Sequence, residues 1–160
     1  MSVAISTRTL GLTAPLAISG RKIRLAMVGC GRISKNHFSS IDSHAENIEL
    51  VAVCDSASER LEQIQAAYGV PVYKTLTDLL AEVEADVVVL ATPSGLHARQ
   101  AIEAAQAGCH VVTEKPMATR WEDGRRMVEV FDKARLRLFV VKQNRKNPTC
   151  LLYTSPSPRD

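Results

Sequence analysis

A lysine at the carboxyl end of an apolar run, in Glu114-Lys115-Pro116, is placed to orient or exchange a proton with a substrate hydroxyl or carbonyl. Much earlier in the chain, Gly29-Cys30-Gly31 closes another apolar run. Two glycines so spaced let the backbone turn tightly and approach a pyrophosphate, whose charge is met by the first amides of the helix that follows. A pyrophosphate turn on one strand and a lysine at the end of a later one form the pattern expected of the cofactor half of a dehydrogenase. Lys115 is therefore the candidate catalytic residue, a surface Glu-Lys pair before a proline turn being the other reading, and Gly29, Gly31, Arg32 and Ile33 are the candidate cofactor-binding residues of the turn. Ser34 stands where a third glycine or alanine is usual, and the same turn also fits an ordinary strand-to-helix connection.

Three further signals lie in register with this pair. Asp55 ends the second apolar run roughly 20 residues beyond the glycine turn, where a carboxylate accepts both ribose hydroxyls of adenosine and repels a 2′-phosphate. NAD is thus favoured over NADP, although Arg60 is near enough in sequence to reverse the preference, and a plain strand-end cap is the other role open to Asp55. Thr92, Pro93 and His97 follow the fourth run, where a strand gives way to a helix beside the nicotinamide, and His97 equally fits packing against its own helix. Glu114 is a candidate for the nicotinamide ribose. His37, His44 and His110 lack ligand spacing and read as packing or surface residues, so no metal site is expected.

The elements that must position these residues are legible as short apolar runs alternating with segments of helical period. The runs are Ile23 to Val28, Ile48 to Cys54, Val70 to Tyr73, Asp86 to Ala91, His110 to Thr113 and Leu136 to Val141. Near-continuous apolarity means strands covered on both faces, as parallel sheets require. Capping-box patterns begin helices at Ser56-Ala57-Ser58-Glu59 and Thr119-Arg120-Trp121-Glu122, with a weaker version at Thr75-Leu76-Thr77-Asp78. An alanine-rich helix from Ala98 to Ala107 can approach the sheet closely and is stopped by Gly108. The expected fold is α/β, a Rossmann-type doubly wound parallel sheet ordered 3-2-1-4-5-6.

Composition bounds the function classes. The chain has 160 residues, 46% hydrophobic and 23% charged, which suits one substantial core. Its formal charge of +3 is dispersed, with no basic run interleaved with aromatics, so nucleic acid is not an expected partner. Cys30, Cys54, Cys109 and Cys150 show no C-x-x-C spacing, which suits a reducing cytoplasm, and no apolar run has the length of a membrane span.

VGCGRI at Val28 to Ile33, CD at Cys54-Asp55, TPSGLH at Thr92 to His97 and EKP at Glu114 to Pro116 occur in order. With these motifs the chain resembles the N-terminal domain of the Gfo/Idh/MocA oxidoreductases. The resemblance implies an NAD site along Gly29, Gly31, Asp55, Thr92, Pro93, His97 and Glu114, with Lys115 at the catalytic site. It also implies a homo-oligomeric parent with a second α/β domain that closes the pocket and supplies a further acid/base group. The stretches Met117 to Trp121 and Leu138 to Arg145 are similar to one branch, whose members oxidise the 3-hydroxyl of UDP-N-acetylglucosaminuronic acid for lipopolysaccharide sugars. A sugar or nucleotide sugar is the implied substrate.

The chain is expected to divide into a flexible leader (1–20), an NAD-binding domain (21–149) and a non-native tail (150–160). Cys150 to Asp160 matches the codon-by-codon translation of a sequencing-library adapter, so this chain is expected to bind NAD without turnover. A free-standing NAD-sensing module, and a doubly wound domain for another adenosine ligand such as a methyl donor, share the motifs as far as Asp55.

Overall fold

The computed structural model describes residues 18–143, so residues 1–17 of the expected leader and all of the expected tail lie outside the described residues. Within that span, six strands alternate with helices. The strands are β1 (Ile23–Val28), β2 (Ile48–Cys54), β3 (Val72–Tyr73), β4 (Val87–Leu90), β5 (His110–Thr113) and β6 (Leu138–Val140). The helices are α1 (Ser34–Ser43), α2 (Ser58–Tyr68), α3 (Leu76–Glu82), α4 (His97–Gln106) and α5 (Trp121–Ala134). All pairings are parallel and the sheet order is β3-β2-β1-β4-β5-β6, the doubly wound arrangement expected from the sequence.

Strand alternation explains why both faces are apolar. Leu25 and Met27 of β1 point to one side, where they meet Val53, Val89, Phe38 and Ile41 of α1 and Leu61 of α2. Ala26 and Val28 point to the other, against Leu79 of α3, Ala101, Ala104 and Ala105 of α4 and Met127 and Phe131 of α5. Ala101, Ala104 and Ala105 of α4 are buried against the sheet, so the close approach anticipated from composition occurs. Gly108 (φ +85°) then ends α4. Its N–H bonds Ala105 O and the Cys109 N–H bonds Ala104 O, the paired bonds of a Schellman stop.

Two of the three expected caps are not made. Helix α2 starts at Ser58 with Ala57 as its cap residue, because the Asp55 carboxylate takes the Ala57 N–H at 2.8 Å and turns the chain before Ser56 can act. Helix α5 is preceded by an extended Arg120, without a side-chain cap. The pattern that looked weakest forms instead, with Thr75 Oγ1 accepting the Asp78 N–H at 3.1 Å and its hydroxyl donating to Asp78 Oδ2 at 2.6 Å.

Two stability predictions arise from this frame. Arg135 closes α5 with a left-handed φ of 56°, where a side chain costs about 1 kcal/mol. Arg135→Gly should therefore raise stability by about 0.5–1 kcal/mol in urea unfolding. At the amino ends of β1 and β4, the Asp86 carboxylate bonds Arg21 Nη1 at 2.6 Å and the Arg24 N–H at 2.8 Å. Chiefly through Arg21, these contacts hold the Asp86 carboxyl well below the usual carboxylate range. Its stabilising contribution is complete above the unfolded-chain value of about 3.9 and is lost as pH falls below it. Asp86→Asn should lower stability at neutral pH and flatten its decline below pH about 4, as read by unfolding titrations across that range.

Candidate functional site

The strand order reverses between β1 and β4, and a crevice opens there at the carboxyl ends of the strands. A cavity of about 680 Å³ is lined by Gly29, Gly31, Asp55, Thr92, Pro93 and Gln100, among others, a volume in the usual range for small-molecule sites. Three strand ends are tied together beneath it. The Gly29 N–H bonds Cys54 O and the Ala91 N–H bonds Val28 O, both at 2.8 Å.

The two glycines of the turn have different reasons to be glycine. At Gly29, φ is +91°, and a Cβ would lie 2.7 Å from both the carbonyl carbon and oxygen of Ala91. At Gly31 a Cβ would meet no protein atom within 4 Å, although the residue lines the cavity. The space over Gly31 is thus open to a ligand, as a pyrophosphate cradle requires. Among the described residues no hydrogen bond engages the Gly31, Arg32 or Ile33 amides ahead of α1, so they remain available to an anion. The Arg32 side chain is exposed, while Ile33 packs on the core beneath. Ser34 is buried and its hydroxyl donates to Gly31 O at 2.6 Å, which fixes the turn in place of a third glycine.

Asp55 fills the strand-end cap role open to it in the sequence. It is buried, with Oδ2 accepting the Cys30 N–H at 2.7 Å and Oδ1 accepting the Ala57 N–H at 2.8 Å. A carboxylate has about four acceptor sites, so the two amides leave capacity for ribose hydroxyls. Arg60 Nη1 is 3.5 Å from Oδ2 and half-exposed, and the residue also lines the cavity. Thr92 donates its hydroxyl to Gln100 Oε1 at 2.6 Å. Gln100 carried no sequence signal beyond its place one turn after His97 on α4.

The lysine end is built from the turn after β5. Lys115 is exposed, and the peptide joining it to Pro116 is cis. Glu114 is buried, with its N–H bonded to Leu90 O of β4 and its Oε1 2.9 Å from Nε2 of His37 on α1. Sequence spacing dismissed His37 as a packing or surface residue, and no local pattern could link it to a carboxylate so far along the chain. His97, placed along the cofactor site by its motif, turns its ring inward and is only 1% exposed. Its Nδ1 lies 2.8 Å from Pro116 O and its Nε2 2.9 Å from Thr92 O, so the ring joins the turns after β4 and β5.

The surroundings of the two cysteines near the site disfavour the thiolate. Burial, with Asp55 next in effect, pushes the Cys30 thiol up to about 12, and the same causes take Cys54 to about 11. A second cavity of about 530 Å³ lies around Asp86 and Cys109 at the amino ends of the strands. It lacks the helix-leading amides that favour a dinucleotide at the carboxyl ends. No helix among the described residues is long and apolar enough to cross a membrane.

Comparisons with known proteins agree on the family of the chain. The family model for the Gfo/Idh/MocA oxidoreductases, NAD-binding Rossmann fold, matches residues 23–142. Among solved structures, the WlbA dehydrogenase of Bordetella pertussis in complex with NADH and UDP-GlcNAcA superposes with a TM-score of 0.82 and 60% identity, over 85% of this chain and 41% of that one. The WlbA dehydrogenase of Chromobacterium violaceum, with the same two ligands, gives 0.82 and 55%, over 84% and 39%. D-glucoside 3-dehydrogenase of Escherichia coli is 32% identical over 118 residues, 73% of this chain and 34% of that protein. The chain thus spans about 40% or less of the length of each of these relatives.

Proposed function

This chain belongs to the Gfo/Idh/MocA oxidoreductase family as an NAD-binding Rossmann domain, and on that premise we propose that it is the cofactor half of a dehydrogenase oxidising a sugar or nucleotide-sugar hydroxyl. The substrate we favour is UDP-N-acetylglucosaminuronic acid, oxidised at its 3-hydroxyl in the cytoplasm by a homo-oligomeric parent. The observation that carries the reading is one of placement: the unengaged amides after Gly29, the Asp55 carboxylate and Lys115 all stand at the carboxyl edge of one sheet. Support for the substrate class comes from the two WlbA structures, each holding NADH and UDP-GlcNAcA.

In this reading the Gly31 to Ile33 amides bind the pyrophosphate, Asp55 the adenosine ribose and Glu114 the nicotinamide ribose. NAD, when bound, supplies the hydride acceptor. Lys115 Nζ orients the substrate hydroxyl and holds its proton as the carbonyl forms. Because Lys115 is exposed, water reaches the reacting position, and productive alignment needs groups beyond the described residues. Residues 1–160 should accordingly bind NADH and fail to turn over UDP-N-acetylglucosaminuronic acid.

Calorimetric titration of the chain with NADH, NADPH and S-adenosylmethionine tests this reading. Saturable heat with NADH, weaker heat with NADPH and none with the methyl donor are expected. Silence with NADH would remove the dehydrogenase reading, and measurable reduction of NAD by the chain with substrate would overturn the expected lack of turnover.

A further inference from the structure

His37 sits in the first turn of α1, directly after the glycine turn, and its Nε2 reaches Glu114 Oε1 at 2.9 Å across 77 positions of sequence. Both side chains are largely withdrawn from solvent, 17% and 9% exposed respectively. The other carboxylate oxygen of Glu114, Oε2, lies 3.4 Å from the Lys115 N–H. One carboxylate therefore connects the helix that leads from the pyrophosphate turn to the backbone of the candidate catalytic lysine. A carboxylate can only accept, so the bond to His37 requires hydrogen on Nε2. Apart from Lys115's own amide, the ring is the one hydrogen-bond donor to this carboxylate among the described residues.

We infer that His37 is a positioning residue: through Glu114 it fixes the Lys115 turn and holds the carboxylate in place beside the nicotinamide position. The second half of this inference rests on the proposed NAD site. A negative charge there favours the cationic ring of NAD+ over the neutral ring of NADH, so His37 tunes the preference between the two redox forms without touching either. A residue needed only for folding would weaken both forms alike.

The test uses the 160-residue chain with His37→Leu, which removes the donor, and His37→Gln, which keeps an N–H at a similar reach. Two quantities are read, the ratio of the NAD+ and NADH dissociation constants and the hydrogen-exchange rate of the Lys115 amide. His37→Leu should shift the ratio toward NADH by about threefold to tenfold and speed exchange at Lys115 by about tenfold, with little change in the strands. His37→Gln should stay within about twofold of the parent chain on both. Equal weakening of both coenzymes with Lys115 exchange unchanged would overturn the inference, as would His37→Gln behaving like His37→Leu. If the unmodified chain binds neither coenzyme, the NAD-site reading fails and the exchange rate at Lys115 alone decides whether His37 positions the turn. Should His37→Leu not fold, His37→Asn, too short to reach Glu114, is measured in the same two ways.

Discussion

Gly29→Ala is expected to cost about 2–4 kcal/mol of folding stability, while Gly31→Ala in the same turn leaves stability within about 0.5 kcal/mol of the parent. The difference follows from what each new methyl would meet. At Gly29 the backbone is left-handed at φ +91°, which alone disfavours a side chain, and a Cβ would lie 2.7 Å from two Ala91 atoms and 2.9 Å from the Thr92 nitrogen. Those are backbone atoms and cannot rotate away. The Ala91 N–H is itself bonded to Val28 O at 2.8 Å, so relief of the clash would pull β1 from β4 at the strand reversal. At Gly31 the methyl enters open space over the cavity, and its cost falls on the ligand. NADH affinity of Gly31→Ala should drop by about tenfold or more, because the pyrophosphate must approach the backbone there. Urea unfolding and NADH titration of the two variants separate these effects. Parent-like NADH binding by Gly31→Ala would mean that the pyrophosphate lies elsewhere.

Asp55→Ala should damage both folding and binding. The carboxylate is buried and holds the amides of Cys30 and Ala57, which join the glycine turn to the start of α2. Charge-assisted hydrogen bonds contribute about 1.5–3 kcal/mol each, so a stability loss of about 2–4 kcal/mol is expected after partial rehydration of the freed amides. Loss of the ribose contacts should weaken NADH by about 30- to 100-fold. Asp55→Asn keeps an oxygen for one amide but sets an NH2 group against the other, and should fall between the two. Either change frees Arg60 from its carboxylate partner, so the preference for NADH over NADPH should narrow. The ratio of the two dissociation constants is the measurement. An unchanged ratio would show that Asp55 serves the turn alone and does not select the ribose.

The sequence by itself determined the sheet. Runs such as Ile23–Val28, Ile48–Cys54 and His110–Thr113 appear in the structure with the expected bounds, because a strand buried on both faces needs unbroken apolarity and little else in a sequence produces it. Where a run was trimmed, as at Asp86 and Ala91, the flanking residue is engaged in an ion pair or in the exit from the strand. The motif order also placed the glycine turn, Asp55 and Lys115 at one edge, since parallel strands joined by helices all end on the same side. What only the tertiary structure decided was which side chains meet. Thr75 caps its helix while Ser56 does not, because a buried Asp55 reached the Ala57 amide first. His97 turns inward to two carbonyls, and His37 finds Glu114 77 residues away. Local pattern fixes an element through its burial and period. A contact between elements depends on how each helix is rotated and advanced against the sheet, and no single segment carries that information.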